Sequence, residues 1–480
     1  MQSRLLMLVL VVAAACRVGV LAPAWTDTRR MMTPDSKGYL DLADSLIGGQ
    51  GFQRDDLPEV FRTPGYPMFL LPGAYLGQDG LRAAIIAQVA LDVLLVYLTF
   101  LLGTILLDWR AGLCAAGFQA LAPEAMAASV RLLSDSLFAF LLTLAALLLV
   151  HQFRSNPYLP AHPPEASGES GKGQAGRQGW WSLLSAAVVA AAACYVRPVG
   201  VTFCVIASAV LLAMHGGRAR AGAFAGAVAA LLLPWAARNY VAADYAGFSS
   251  FAGDSMYYFS APEVLAETGD GDAESQRLLM REKDEHAQKL SAGLRTSGQA
   301  ARQRQREAMD VILAHPLAYA KVHLRGCVGF LLPGINDVLE IAGRTSGQRG
   351  TLDVLHRQGV RAAVEHYLGG AASAIWLCAP AAALLAAKYG LCLVCAAACV
   401  ARRWSAPACP AWARQAGWLV ALTVLAFALS GGPAATARFR VPVEPMLSVA
   451  AGCGLVVLLA RRGKGATMKG LQTTFGPDRR

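Results

Sequence analysis

Charged residues are scarce in this chain of 480 residues, since only 16% are Asp, Glu, Lys or Arg whereas 55% are hydrophobic. The mean hydropathy is +0.42. So few charges exclude an ordinary soluble globule of this length and indicate a polytopic membrane protein. We therefore predict an all-α fold built from transmembrane helices.

The chain also lacks a basic stripe with interleaved aromatic residues, so its net charge of +11 does not indicate a nucleic-acid partner. Its eleven cysteines lie mostly within hydrophobic runs. Cys392, Cys395 and Cys399 recur at helical spacing in an Ala-rich segment and could bind a metal. Small apolar filler is the better interpretation of this group.

Twelve hydrophobic runs are candidate membrane spans, judged against the ~20 residues that a helix needs to cross. They cover 5–22, 81–107, 111–128, 133–152, 181–196, 199–214, 221–236, 318–333, 371–387, 389–401, 416–431 and 441–460. The weakest are 318–333 and the pair 371–387 and 389–401, which could be one long helix around Lys388. We therefore expect about 10 to 12 spans. Residues 1–22 could be a cleavable signal peptide, but the poor cleavage site favours an uncleaved first span.

Basic residues in the short loops predict the orientation of the chain. The tail at 461–480 carries six Lys or Arg against one Asp. Other cytoplasmic turns are marked by Arg110, Arg218, Arg220, Arg402 and Arg403. This pattern places both termini in the cytoplasm and the segments 23–66 and 237–317 outside.

The spans and loops divide the chain into four predicted parts. These are a transmembrane core at 1–236 with a first outer loop at 23–66, a long outer loop at 237–317, C-terminal transmembrane helices at 318–460 and a basic cytoplasmic tail at 461–480. Within the core, the Pro/Gly/Ser-rich stretch 155–179 is predicted to be a flexible cytoplasmic linker.

The stretch MMTPDSKGYLDLADSL, residues 31–46, has the pattern of a short amphipathic helix. Apolar residues recur at i, i+3, i+4 and i+7 from Tyr39, and Asp41 and Asp44 fall on the opposite face. Asp35 lies one turn before Tyr39 and is predicted to project onto the apolar side, next to the membrane. A carboxylate in that position needs an explanation.

Seven ionisable residues gather where this topology places the outer membrane boundary. They are Asp35, Arg62, Asp135, Arg197, Arg238, Arg438 and Arg440. Each arginine alone could snorkel to lipid headgroups, and each acid alone could favour a helix N-terminus. Charges at membrane depth are nevertheless costly and usually face a cavity or a partner, and arginine suits phosphate. Together they indicate a buried site in which a carboxylate base and arginines transfer a group from a phosphorylated, membrane-delivered donor.

Several stretches of the chain resemble the membrane glycosyltransferases of the C-type (GT-C) fold, in the group of the protein O-mannosyltransferases, the lipid A aminoarabinose transferases and the Rgt-type lipopolysaccharide glycosyltransferases. The similar stretches are PDSKGYLDLADSLIGGQGF, FRTPGYPMFL, SDSLFAFLLTLAALLL, RPVG, PWAARNY and RFRVPVEP. The resemblance implies a bundle of transmembrane helices with a juxtamembrane helix in the first outer loop. It also implies an integral protein of a bacterial inner or plasma membrane, with its active site outside the cytoplasm.

The resemblance further implies roles for individual residues. Asp35 becomes the catalytic base, and Asp135 belongs to a second acidic motif. A basic residue near the donor phosphate is implied at Arg62, and the further phosphate-binding candidates are Arg197, Arg238, Arg438 and Arg440. We expect Ser36, Tyr39 and Tyr66 to line the substrate site.

The implied partners are a polyprenyl-phosphate-linked sugar donor, a glycan, lipid or protein acceptor, and the lipid bilayer. No cofactor is certain. Some relatives use a divalent metal ion, which Asp35 and Asp135 could share, but the sequence shows no further ligand set. The sugar and the acceptor are not identified by the sequence.

Two other classes of protein fit part of the pattern. A transporter or flippase of an anionic lipid or solute would also place arginines in a cavity, but such proteins usually show repeat symmetry and polar breaks near mid-membrane. The span centres here are apolar except at Gln88 and Asp92. A structural or assembly protein would not need Asp35 on an apolar face.

Overall fold

The computed structural model describes residues 1–154, 169–291, 296–344, 351–367, 375–405 and 411–462, apart from positions 75, 77, 78, 215 and 270. Helices make up nearly all of these residues, which confirms the predicted all-α class. The first loop adds a minimal antiparallel hairpin of β1 (Gln53–Arg54) and β2 (Leu57–Pro58).

The helices of the first half follow one another with short connections. They are α1 (Gln2–Thr26), α2 (Pro34–Ile47), α3 (Gly65–Ala74), α4 (Gly80–Leu106), α5 (Trp109–Ala120), α6 (Pro123–Val130), α7 (Asp135–Arg154), α8 (Glu169–Val196), α9 (Gly200–Leu212) and α10 (Gly217–Ala243). A 3-10 turn at Thr28–Met31 joins α1 to α2.

The second half begins with a group of shorter helices and returns to long ones. They are α11 (Phe251–Ser255), α12 (Ala261–Glu267), α13 (Ala273–Ser291), α14 (Ser297–Ala314), α15 (Pro316–Cys327), α16 (Ile335–Ile341), α17 (Thr351–Tyr367), α18 (Ile375–Ser405), α19 (Ala411–Ser430) and α20 (Glu444–Arg462). A π-helix at Met256–Ser260 joins α11 to α12, and a 3-10 helix at Ala437–Val443 precedes α20.

Eight described helices are long and apolar enough to cross a membrane: α1, α4, α7, α8, α10, α18, α19 and α20. The bent pair of α5 and α6 makes a ninth span if it is counted as one. Helix α9 is a shorter apolar helix of 13 residues, whose rise of ~20 Å falls short of a hydrocarbon core of ~30 Å. The described residues therefore contain eight or nine candidate spans, fewer than the 10 to 12 that we predicted. The protein is thus an integral, multi-pass membrane protein.

The two weakest span predictions now have an outcome. Residues 318–333 form α15 and a 3-10 helix at Val328–Leu331, which together do not qualify as a span, so that prediction was wrong. From Ile375 onward, where the description of this region begins, the runs 371–387 and 389–401 form one continuous helix, α18, which is the merged alternative. The proline of this helix, Pro380, lies in the first turns of α18. No later residue lacks a backbone N–H, so the helix continues without a break.

Two predicted cytoplasmic segments are described only in part. Residues 155–168 of the predicted linker 155–179 lie outside the described residues, and α8 begins at Glu169, before the predicted end of the linker. The tail 461–480 lies outside them from 463 onward. The division of the chain into four parts therefore stays a prediction.

The predicted span 111–128 is broken at mid-length, so it is not the single helix that the sequence led us to expect. Helix α5 ends at Ala120 and α6 begins at Pro123, with a bend of 58° between them. Pro123 has no backbone N–H, so it cannot continue the hydrogen-bond ladder to the carbonyl of Gln119. At the break, the Gln119 carbonyl accepts from the backbone N–H of Ala122 at 3.4 Å, whereas the Ala120 carbonyl no longer accepts from the residue four positions later. A carbonyl without a partner is costly inside a membrane, where water does not reach it.

Arg17 of α1 donates hydrogen bonds to the carbonyls at this break. Its guanidinium donates to the carbonyl oxygens of Ala120 at 2.9 Å and Gln119 at 3.4 Å. Asp92 of α4 lies 2.5 Å from Arg17 Nε, and both side chains are fully buried. Arg17 therefore caps the broken helix, and Asp92 balances its charge.

The loops that carry the predicted site residues meet at one end of the bundle, which we call the site end. Ser36 of α2 donates a hydrogen bond to the Leu132 carbonyl before α7. The first loop also receives hydrogen bonds from the helical segment after α10, where Ser297 donates to the Pro58 carbonyl at 2.6 Å. Segments 23–66 and 237–317 thus lie on the same side of the bundle; which side faces the cytoplasm stays a prediction.

The Arg17–Asp92 pair generates a test of this packing. We expect Arg17→Met to destabilise the fold by about 3–5 kcal/mol, because it leaves the buried Asp92 carboxylate unpaired. The double variant Arg17→Met with Asp92→Leu should recover much of that loss, although the Ala120 carbonyl stays uncapped. Thermal unfolding in one detergent measures both; a double variant less stable than the single one would contradict the pairing.

Candidate active site

Helix α2 places Asp35 in its first turn. Pro34 occupies the first helical position, which suits its fixed φ angle, and Thr33 forms a capping box with Ser36. The backbone N–H of Thr33 donates to Ser36 Oγ at 2.8 Å. Leu42 on the predicted apolar face is fully buried, so the predicted amphipathic helix is confirmed.

Two contacts hold α2 against the start of α7. Ser36 is fully buried and hydrogen-bonds the Leu132 carbonyl at 2.9 Å. The Tyr39 hydroxyl lies 3.1 Å from Ser134 Oγ. Because α7 begins at Asp135, the residue after Ser134, these contacts bring the carboxylates of Asp35 and Asp135 to the same place.

Arg438 joins the two carboxylates. Its Nη1 donates to Asp35 Oδ2 at 2.9 Å, and its Nε donates to Asp135 Oδ2 at 2.8 Å. Both distances are those of charge-assisted hydrogen bonds. One guanidinium from the 3-10 helix before α20 therefore bridges α2 and α7. These two helices are about a hundred residues apart in the sequence, and each is three hundred or more residues from Arg438.

Asp135 is the deeper of the two acids. Its side chain is fully buried, whereas the Asp35 side chain is 46% exposed. The second oxygen of Asp135 pairs with Arg197, from the turn between α8 and α9. Asp135 is thus saturated by two arginines, while Asp35 keeps an open side.

Arg62 approaches Asp35 from the first loop. Its Nη2 lies 3.7 Å from Asp35 Oδ1, longer than a hydrogen bond, so this pair is loose. The guanidinium lies 5.0 Å from the centre of the Tyr39 ring and directly over Gly38. A Cβ atom at position 38 would come within 2.6 Å of the guanidinium, so a larger residue there would require the Arg62 side chain to move.

The five charged side chains that contact one another around Asp35 carry a net positive charge. Three arginines, Arg62, Arg197 and Arg438, surround the two carboxylates of Asp35 and Asp135. Burial alone raises the pKa of Asp35, but the positive charge and hydrogen bond of Arg438, with smaller contributions from Arg62 and Arg197, lower this pKa below its ordinary value. The excess charge makes the site suitable for an anion.

Tyr66 packs against Tyr39 on the buried side of this cluster. It is fully buried, its ring meets that of Tyr39 edge to face at 4.8 Å, and its hydroxyl donates to Gln88 Oε1. Gln88 Nε2 in turn donates to the Arg131 carbonyl at 2.8 Å. Tyr66 therefore contacts Tyr39 without reaching the open side of Asp35, and its place in the substrate site stays a prediction.

Arg238 does not join the cluster around Asp35. Its guanidinium donates to the carbonyls of Glu59 at 2.7 Å and of Phe52, at the two ends of the β1–β2 hairpin. It also lies 5.0 Å from the centre of the Trp235 ring. As placed, Arg238 holds the first loop against the end of α10.

Arg440 is also held elsewhere, in a fully buried group of four charges. Its Nη2 lies 2.7 Å from Glu124 Oε1 and its Nε 2.9 Å from Glu444 Oε2. Lys388 of α18 pairs with the other oxygen of Glu444. Two acids and two bases balance one another in this group, which we call the buried quartet, and Arg440 has no exposed face for a phosphate.

Asp35 and Asp135 do not fit a shared divalent metal ion as they are placed. The Arg438 guanidinium hydrogen-bonds both carboxylates and takes the position that a cation would need. Within the described part of the chain, no three His, Cys, Asp or Glu side chains group as metal ligands. We derive no chemical step through a metal.

Several residues of this region were missed by sequence reasoning. Gly38 makes room for Arg62, and Glu124 and Lys388 belong to the buried quartet. Glu124 follows Pro123 inside a predicted span, and Arg17 lies inside the first, so an ionisable residue within an apolar run was the available signal. Gly38 gave no such signal, because its role depends on a side chain from another segment.

Comparison with known proteins supports the fold. No family model and no curated protein matches this chain. Among solved structures, it is similar to the archaeal oligosaccharyltransferase AglB from Archaeoglobus fulgidus in complex with an inhibitory peptide and a dolichol-phosphate, with 15% identity and a TM-score of 0.52 over 99% of this chain and 52% of that one. The apo form of the Archaeoglobus fulgidus oligosaccharyltransferase gives 16% identity and a TM-score of 0.51 over the same shares.

The fold is therefore that of the GT-C membrane glycosyltransferases, as the sequence resemblance implied. The chain spans about half of the length of the oligosaccharyltransferase that it matches. ArnT from Cupriavidus metallidurans bound to undecaprenyl phosphate is a weaker match, with 16% identity and a TM-score of 0.40 over 98% of this chain and 77% of that one. A match at that level carries no argument here.

The different burial of the two acids predicts different effects of neutralising them. Asp135→Asn should destabilise the protein by about 3–5 kcal/mol, because it removes the buried charge that balances Arg197 and Arg438. Asp35→Asn should cost within about 1 kcal/mol, because that carboxylate is half exposed. Thermal unfolding in one detergent measures both, and equal losses would contradict this distinction.

Proposed function

We propose that this protein is an integral-membrane glycosyltransferase, in which Asp35 is the general base and the donor is a sugar linked to a polyprenyl phosphate. The observation that carries the proposal is an accessible carboxylate beside an excess of arginine charge, at one end of a GT-C bundle. The similar oligosaccharyltransferase structure holds a dolichol-phosphate and a peptide. Its lipid is of the donor class that we propose.

The proposed step transfers one glycosyl group. An acceptor hydroxyl or amine gives its proton to the Asp35 carboxylate while its oxygen or nitrogen forms a bond to the anomeric carbon. The bond between that carbon and the phosphate oxygen breaks, and the electron pair leaves with the lipid phosphate. Attack from the face opposite the leaving group inverts the anomeric centre.

Asp35 is the better candidate for the base because it is accessible. Asp135 is fully buried and both of its oxygens already accept from arginines. An acceptor could not reach it without breaking these pairs. We assign Asp135 the role of holding Arg438 and Arg197 in place, so it is a positioning residue in this mechanism.

Arg62 is the first candidate for the donor phosphate. Its contact with the Asp35 carboxylate is loose at 3.7 Å, and its hydrogen bond to the Asp35 backbone carbonyl is 3.4 Å long. Moving this guanidinium to a phosphate therefore sacrifices little. Arg438 and Arg197 would add positive charge where negative charge develops on the leaving group.

The long segment after α10 is placed to form the acceptor side. It rests on the first loop through Ser297 and through Ser249, which donates to the Phe61 carbonyl at 2.6 Å, next to Arg62. We propose that this side faces away from the cytoplasm, as the basic loops predict. A lipid carrier would then be needed, because nucleotide sugars are not available there.

One observation favours a second function, movement of an anionic lipid across the bilayer. The span centres are less apolar than the sequence suggested, because Arg17, Glu124 and Lys388 are buried there as well as Asp92. A broken helix with buried charges near mid-membrane is typical of transporters. These charges are paired in the structure, however, which is why we rank this function second.

Substitution of the base and of the phosphate ligand separates their roles. Asp35→Asn should keep the bound donor lipid and lose turnover by ~10²-fold or more, a typical general-base contribution. Arg62→Ala should weaken donor binding as well as turnover, because a charge-assisted contact of about 1.5–3 kcal/mol is removed. Single-turnover transfer and retained donor lipid are measured on each purified variant.

Two matched controls accompany these variants. Asp44→Asn changes an exposed carboxylate on the opposite face of α2, and Arg361→Ala removes an arginine that is 94% exposed. Both should transfer at the parent rate. Transfer by Asp35→Asn at the parent rate would overturn the mechanism, and a lack of transfer in every protein, with lipid movement retained, would favour the second function.

The pH dependence should differ between the free enzyme and the donor complex. In the free enzyme, Arg438 lowers the pKa of Asp35, so kcat/KM should fall only below the ordinary aspartate pKa of 3.8. A bound phosphate draws the arginines away and adds negative charge, which raises the pKa of Asp35. The acidic limb of kcat should therefore lie at higher pH than that of kcat/KM, and the reverse order would contradict our assignment of the base.

A further inference from the structure

The helix α15 and the 3-10 helix after it, which sequence analysis took for a membrane span, have a strongly one-sided surface. Leu317, Leu324, Val328 and Leu331 are 85%, 61%, 41% and 52% exposed. Their spacing of seven, four and three residues places them along one face of a helix. On the other side Val322 is buried. Ala320 and Lys321 are also exposed and lie between Leu317 and Leu324 on this face, so the stripe is a row of large aliphatic side chains with one basic residue in it. Water solvates such aliphatic side chains poorly.

The position of α15 indicates what covers this stripe. Gly326 packs so closely on the backbone at Gly432 that a Cβ atom would come within 2.2 Å of its carbonyl oxygen. His323 Nε2 lies 2.7 Å from the Leu429 carbonyl. Both contacts are at the end of α19, a membrane span whose Leu425 and Leu429 are 55% and 43% exposed. The stripe therefore continues the apolar outer surface of that span.

The charged residues of α15 also indicate that this helix lies at the membrane interface. Lys321 and Arg325 pair with Glu267 and Glu263 of α12, on the side of the helical segment that follows α10. Lys321 is also largely exposed and lies on the stripe between Leu317 and Leu324, where its long side chain can carry the ammonium to lipid headgroups. A helix with one apolar face and bases at its edge is typical of a membrane interface.

We propose that α15 lies in the membrane interface at the site end, with Leu317, Leu324, Val328 and Leu331 inserted among the lipids of that leaflet. The twelve residues of α15 rise only ~18 Å, too little to cross a hydrocarbon core of ~30 Å. The occupant of this surface is the bilayer itself. Through its contacts with α12 and with the end of α19, the helix anchors the segment between α10 and α18 to the membrane. This proposal does not depend on what the site transfers.

Site-specific photo-crosslinking tests this placement. A benzophenone amino acid replaces Leu317 in one protein and Leu324 in another, each in the full chain reconstituted in lipid nanodiscs. Both side chains are exposed, so the probe needs no space inside the protein. After irradiation, intact-protein mass spectrometry should show lipid adducts at both positions.

Two further positions calibrate the yield. The probe at Leu425, on the exposed face of α19, should form lipid adducts, and the probe at Glu282, exposed on the charged helix α13, should form none. Yields at Leu317 and Leu324 that match Leu425 support the proposal. Yields that match Glu282, or adducts to a second protein copy in place of lipid, would overturn it.

Discussion

The site depends on one interaction, the bridge that Arg438 forms between Asp35 and Asp135. These carboxylates belong to different helices, and would repel each other without a shared cation. Arg438 hydrogen-bonds one at 2.9 Å and the other at 2.8 Å. The bridge fixes α2 against α7, pairs the buried Asp135 carboxylate with a cation and leaves the half-exposed Asp35 with an open side. In a low-dielectric surrounding such pairing is a strong constraint, since loss of one member leaves an uncompensated charge.

The buried quartet fixes the position of Arg438 and hence of this bridge. Arg440 lies two residues after Arg438 in the same 3-10 helix and is fixed by Glu124, Glu444 and the carbonyl of Leu332 at 3.0 Å. With Arg440 held inside the bundle, Arg438 is directed to the site end. Arg440 was predicted to bind the donor phosphate; as placed, it positions the residue that organises the site. The buried quartet and the Arg438 bridge are therefore linked through the 3-10 helix that carries both arginines.

The sequence predicted much of the fold because long apolar runs report directly on membrane crossing, whereas the orientation that the basic turns indicate stays a prediction. It also singled out Asp35, through its conflict with the apolar face of α2, together with Asp135, Arg62, Arg197 and Arg438. It could not show which arginines converge, because those contacts join segments up to 403 residues apart, such as Arg438 and Asp35. Pro123 inside a predicted span was a signal of the break, but its cap was hidden, since it comes from Arg17 in another helix.

The central claim is that the site binds a sugar on a lipid phosphate and that Asp35 starts its transfer. The similar oligosaccharyltransferase structures support the fold, and the function rests on the charges described above. Mass spectrometry of the lipids that co-purify with the parent and with Asp35→Asn tests the claim most directly. We expect polyprenyl phosphate without sugar in the parent and the sugar-linked form in the variant, because the variant binds the donor and cannot use it. Bulk phospholipids alone in both proteins would contradict the account.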